Sequence, residues 1–153
     1  AEGRLILADA LAYAQAELKP TRLIDLATLT GGIVIALGSD IAGCFCNNDE
    51  LALQLETAGR RAGDLVWRMP LFAEYVKLLK SEIADIKNSA GRGASSITGA
   101  LFLQEFISQV NLPWAHLDIA GTSFLDKPTS YHPTRSTGAG VRLLVEYFEN
   151  LIL

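Results

Sequence analysis

The spacing of apolar positions changes several times along the chain, and each change marks an element. Over 3–18, Leu, Ala, Ile and Tyr recur nearly all round a helical wheel, which predicts a helix buried on most sides. Lys19-Pro20 ends it, because proline disfavours the helical region for the residue before it. LIDLATL at 23–29 predicts a central strand that runs into the turn Thr30-Gly31-Gly32. The apolar stretch 33–37 fits helix or strand equally. A further strand is predicted at 41–46, before the turn Asn47-Asn48-Asp49. Asn48 or Asp49 then caps a helix to about Ala62, with Leu51, Leu55 and Ala58 inward, Glu50, Glu56 and Arg60 outward, and Gly63 ending it.

Beyond Met69-Pro70 the same reading gives an amphipathic helix in LFAEYVKLLK (71–80) and a strand-like IADIKN (83–88). A small-residue loop, AGRGASS (90–96), releases the apolar helix TGALFLQEFI (98–107). WAHLDIAG (114–121) alternates and empties into a loop as a strand does. Residues 122–140 are rich in Thr, Ser, Pro and Gly without a period. That exceeds the roughly 12–15 residues usual for a connection and marks a functional segment, a mobile one or an interface arm. VRLLVEYFENLIL (141–153) closes the chain as an amphipathic helix. Helices alternating with short apolar strands predict an α/β, three-layer fold, its central sheet largely parallel or mixed and covered by helices on both faces. Neither an internal repeat nor a composition break marks a second domain.

Composition narrows the partners. The chain has 153 residues, 50% hydrophobic and 20% charged, with a net charge of -4. The mean hydropathy of +0.25 is high for a free-standing domain and suggests covered faces. An acidic balance, with Arg60-Arg61 as the basic pair, argues against nucleic acid. Cys44 and Cys46 lie two apart, on one face of a strand, where a mutual disulfide would strain; they read as small buried residues rather than a redox or metal pair. The sequence carries neither a membrane-length apolar run nor a signal peptide, so the expected compartment is the cytoplasm.

Candidate chemistry gathers where strands end, because ligands of open α/β sheets collect beyond the carboxyl ends of the strands. ATLTGG and DIAGTS are such ends, and each is equally readable as a tight turn. In AEGR, the carboxylate of Glu2 and the guanidinium of Arg4 suit a metal ligand and a clamp on negative charge. An acid at a helix start is also the ordinary response to the helix dipole. His116 and His132 form no ligand motif and read as satisfied core or loop residues. Asp25 and Asp118 are either an acid/base pair across one cleft or sheet-end carboxylates bonded to backbone amides.

Taken in order, AEGRLILADAL, DLATLTGG with VIALGS, GDLVWRMPL, IADIKN with GRGASSITGALFLQEF, WAHLDIAGT and TGAGVRLLVEY resemble the leucyl (cytosol) aminopeptidase family over nearly the whole chain. The resemblance implies that 1–153 is the carboxyl-terminal portion of a catalytic domain that removes amino-terminal residues from peptides with two divalent metals, zinc or manganese. It implies Glu2 as a metal ligand, Arg4 as the catalytic arginine holding a bicarbonate, and Thr28, Leu29, Gly31 and Ala120 as substrate-binding positions. In the family, Asn-Thr-Asp precedes AEGRL, and the other acidic ligands and two lysines also lie upstream. The expectation is therefore a sequence that starts inside the active-site motif and a chain inactive alone. The resemblance also implies a homo-oligomer, a hexamer, and leaves a non-catalytic assembly module as the alternative.

Overall fold

The sheet is organised around two adjacent strands that are buried along their whole length. The computed structural model describes residues 1–109 and 111–152. Its strands β1 (Leu23–Ala27), β2 (Ala42–Cys46), β3 (Val66–Met69) and β4 (Trp114–Asp118) lie in the order β1-β4-β2-β3. β4 runs parallel to β1, pairing Ala27 with Asp118, and antiparallel to β2, pairing Gly43 with Asp118. β2 and β3 are parallel, so the sheet is mixed. Flanked by strands on both sides and layers on both faces, β4 is buried at all five positions.

The alternation along β4 divides the core. Ala115 and Leu117 face a cluster with Cys44, Cys46, Leu55 and Leu143, under helices α3 (Asp49–Ala62) and α5 (Val141–Ile152). Trp114 faces the opposite layer, with Leu11 of α1 (Glu2–Tyr13) and Phe102 of α4 (Ser95–Gln104). Ile33 of α2 (Gly31–Leu37) packs there against Phe45. The expected three-layer arrangement is present, and 33–37 is helix. Asn48 caps α3 by accepting the N–H of Leu51 at 2.9 Å, and Gly63 ends it at φ +64°.

Three local expectations are corrected. The first helix is not buried on most sides. Arg4, Ala8 and Leu11 form its buried stripe, while Leu5, Ile6 and Tyr13 are exposed, because α1 packs by one face only. From Ala14 to Leu18 it continues as a π-helical turn, where Gln15 is buried and bonds the carbonyls of Leu11 and Phe106. The segment 71–80 forms a 3-10 helix, Ala73–Leu79, rather than an α-helix. IADIKN is irregular, since its alternation is met by one buried-side residue, Ile86, and a 98% exposed Ile83. Its backbone is used elsewhere: the Asn88 carbonyl accepts from Arg4. β3 was not expected; four residues at a sheet edge, with Trp67 and Arg68 exposed, are too short to show a period. The end of the closing helix at Leu153 lies outside the described residues.

Both cysteines are free and buried, as read from their spacing. Burial pushes the Cys44 thiol up to about 12. A group protonated in the folded state and titrating near 8.5 when unfolded favours folding below that value. Its contribution is then lost as pH rises from about 8.5 toward about 12, at about 1.4 kcal/mol per pH unit. Urea midpoints that fall over this range in the native chain, and fall less in Cys44→Ala, are the expected result.

Candidate functional site

The first site element is a helix start whose two charges point apart. Residues two positions apart on an α-helix are separated by about 200°, so Arg4 turns inward, 8% exposed, while the Glu2 side chain is 94% exposed. Arg4 Nη1 donates to the Asn88 carbonyl at 2.7 Å, and Asn88 Nδ2 donates to the Ala1 carbonyl at 3.2 Å. Burial lowers the pKa of the Arg4 guanidinium, and the negative charge of Asp118 opposes that shift. The Glu2 carboxyl is held below its usual range, chiefly by backbone hydrogen bonding at the helix start.

The second element is the loop after β1. Thr30 caps α2, its backbone extended and its side chain accepting the N–H of Ile33 at 3.3 Å, so the loop turns into the helix at Gly31. Thr28 and Gly31 are exposed and Leu29 is half-buried. The loop leans on α4 at Gly99, where even a methyl group would press on its neighbours. A methyl there would lie 3.0 Å from Thr30 Cγ2, 3.2 Å from Arg4 Nη2 and 3.2 Å from Leu29 Cδ2. Arg4, Leu29 and Thr30 thus converge on one bare helix position. Gly32 is packed against Ser95 in the same way, so the small residues of AGRGASS let α4 approach the TGG turn.

The third element is the loop after β4. Its anchor is Asp118, fully buried, whose Oδ1 accepts the N–H groups of Leu29 at 3.0 Å, Thr30 at 3.4 Å and Ala120 at 3.3 Å. Its Oδ2 accepts the Thr30 hydroxyl at 2.6 Å. Of the two readings open for Asp118, the structure gives the sheet-end carboxylate bonded to backbone amides. Asp25 is not its partner across a cleft. It sits inside the sheet, accepting Trp114 Nε1 at 2.8 Å and lying 2.5 Å from His116 Nδ1. His116 is completely buried and stacks on Phe45, a core histidine as expected but not a fully satisfied one, because its Nε2 is buried with no hydrogen-bond partner among the described residues.

The structure therefore brings together Arg4, Leu29 and Ala120 at one end of the sheet, with Thr28 and Gly31 on the exposed side of the same loop. Glu2 projects away from them. Among the described residues no group of three His, Cys, Asp or Glu side chains is placed to hold a metal ion. Sequence reasoning passed over Asn88 and Gly99. The signal for Gly99 was its place in SSITGALF, a helix apolar all round, where a bare position marks close approach.

Comparison with known proteins gives one consistent picture. The profile of the cytosol aminopeptidase family, catalytic domain, matches residues 1–145. A probable cytosol aminopeptidase of Protochlamydia amoebophila is 54% identical over 151 residues, covering 99% of this chain and 30% of that protein. One from Chloroherpeton thalassium is 57% identical over 150 residues, covering 98% and 29%. A mutant of tomato leucine aminopeptidase superposes with a TM-score of 0.88 at 44% identity, over 96% of this chain and 28% of that one. A bottromycin maturation enzyme, BotP, gives 0.91 at 40%, over 98% and 33%. The chain spans about a third or less of each of these relatives.

Proposed function

The chain belongs to the cytosol aminopeptidase family, and from that premise we propose that it serves as the carboxyl-terminal portion of a metal-dependent leucyl-type aminopeptidase, supplying the substrate wall and the arginine. The observation that supports this reading most is the convergence of Arg4, the Leu29–Thr30 loop and the Ala120 loop at one sheet end. Thr28, Leu29, Gly31 and Ala120 then receive the amino-terminal side chain and backbone of a peptide. Exposed N–H and C=O groups on a loop of small residues let a peptide lie close to the main chain.

Arg4 keeps a positive charge beside that wall. Among the described residues its guanidinium donates from Nη1 to the Asn88 carbonyl. The remaining N–H groups suit a small anion such as bicarbonate, and a guanidinium binds a planar oxyanion through two parallel bonds.

The two divalent cations that the family resemblance implies do not fit the described residues by themselves. Glu2 is a single hard oxygen donor facing outward, and a zinc or manganese site takes several ligands. Glu2 therefore serves as one donor of a site completed by residues outside this sequence. Titration calorimetry with manganese or zinc is expected to give no stoichiometric tight binding by this chain. Two equivalents are expected once the chain is placed behind the amino-terminal portion of the Protochlamydia amoebophila relative. Two tight sites on the chain alone would overturn this assignment.

Assembly is a compatible second role. Ile35 is 90% exposed and Ile83 98%, and neither is covered by the described residues. Such residues favour buried faces in a homo-oligomer, with the family's hexamer as the expected form. No helix among the described residues is long and apolar enough to cross a membrane, and a cytoplasmic peptidase acting on peptides, without nucleic acid as partner, remains the proposed setting.

A further inference from the structure

Resting on the reading that the Leu29 and Ala120 loops hold substrate, we propose that Asp118 is the positioning residue that keeps the two loops in register. Side-chain selectivity then depends on a carboxylate that substrate never reaches. Four donors end on its two oxygens, and all four come from the two loops: Leu29, Thr30 and Ala120 by their N–H groups, and Thr30 by its hydroxyl. The Asp118 side chain has no solvent exposure, so water does not reach its oxygens. Displacing either loop therefore moves Asp118 or breaks a bond to an acceptor that finds no substitute donor in solvent.

The chemistry requires a carboxylate here. An ionised Asp is acceptor-only, with lone pairs on both oxygens for several donors at once. An Asn of the same shape keeps one oxygen and turns an NH2 toward the Thr30 hydroxyl. That hydroxyl already accepts the Ile33 N–H, so it would have to reverse its bond and take a second donor. The connection thus runs from Ala120 through Asp118 and Thr30 to the first turn of α2.

A second, independent contact ties the same parts together. Gly121 lies against the Gly38 carbonyl just past the other end of α2, so closely that a methyl group would collide with backbone. α2 is therefore gripped at both ends by residues at or just beyond the end of β4. Loop, helix and opposing loop move as one body, and the gap that sizes the substrate side chain is set by that body rather than by the lining residues singly.

The test pairs amide NMR of the full chain with kinetics of the joined enzyme described above, using leucine and alanine anilides as probes. In Asp118→Asn the amides of Leu29, Thr30 and Ala120 shift together while those of α3 and α5 stay in place. Thr30→Val shifts the Ala120 amide when Asp118 is present and not when it is Asn. In the joined enzyme, Asp118→Asn lowers the leucine-to-alanine ratio of kcat/KM by about tenfold, chiefly through KM. A merely structural role would instead reduce the active fraction, lowering kcat at unchanged KM and selectivity.

An Ala120 response to Thr30→Val that is the same in both backgrounds overturns the proposal, as does unchanged selectivity in a folded Asp118→Asn enzyme. If Asp118→Asn does not fold, Thr30→Val decides alone: a shifted Ala120 amide with reduced selectivity supports the proposal, and a still Ala120 amide refutes it. An inactive joined enzyme sinks the peptidase reading and the selectivity claim with it, while the amide responses still show whether Asp118 couples the loops.

Discussion

Asp118→Ala lowers the stability of the chain by about 3–5 kcal/mol, read as a fall in the urea midpoint at unchanged slope. The size follows from what is left behind. Leu29 N, Thr30 N, Ala120 N and the Thr30 hydroxyl all lose their acceptor, Thr30 in a buried position and Leu29 and Ala120 in half-buried ones. Each buried unsatisfied donor costs about 1–3 kcal/mol, reduced where the loops can relax toward solvent. The negative charge that opposes the burial of the Arg4 guanidinium is lost as well. Domains of this size are stable by only about 5–15 kcal/mol, so the change removes a large share of the total. A loss below about 1 kcal/mol would mean that these bonds are replaced by water and that the loops are not held as described.

Asp25→Ala is expected to cost about 3 kcal/mol, through a separate network. Asp25 accepts Trp114 Nε1 at 2.8 Å and faces His116 Nδ1 at 2.5 Å, with both partners completely buried in β4. Removing the carboxylate strands both ring nitrogens in the interior. Asp25→Asn keeps one acceptor oxygen and should lose less than Asp25→Ala. Because this network lies inside the sheet and not at its loops, neither variant should change the leucine-to-alanine selectivity of the joined enzyme. A selectivity change from Asp25→Asn comparable to that from Asp118→Asn would contradict the separation of the two networks.

Much of the fold was legible because it depends on long or strongly patterned runs. WAHLD reads as a strand and becomes the buried centre of the sheet. Asn48 and Gly63 delimit α3 through a side-chain cap and a left-handed glycine, both local effects. What failed depends on neighbours far along the chain. Whether α1 is covered on one face or all round is decided by its packing partners, and the apolar Leu5, Ile6 and Tyr13 look the same in either case. IADIKN alternates as a strand would, yet its last residue, Asn88, bonds the start of α1 through its carbonyl and its side chain.

The site divides along the same line. The loops after LIDLA and WAHLD were visible as small-residue strand ends, since a strand's direction and its terminal turn are written locally. The role of Asp118 was not resolved, because acid/base pairing and amide binding need the same residue type. Only the parallel register of β1 and β4, which sets Ala27 opposite Asp118, places the Leu29 and Thr30 amides over its oxygens. The opposed directions of Glu2 and Arg4 were implicit in their spacing on a helix.

The central claim is that this chain contributes a substrate wall and an arginine to a peptidase whose metal site it does not complete. The most direct measurement is hydrolysis of leucine p-nitroanilide with saturating manganese, run side by side on the chain alone and on the chain placed behind the amino-terminal portion of its Protochlamydia amoebophila relative. The account predicts turnover by the joined form and none above background by the chain alone. Comparable turnover by the chain alone would contradict it.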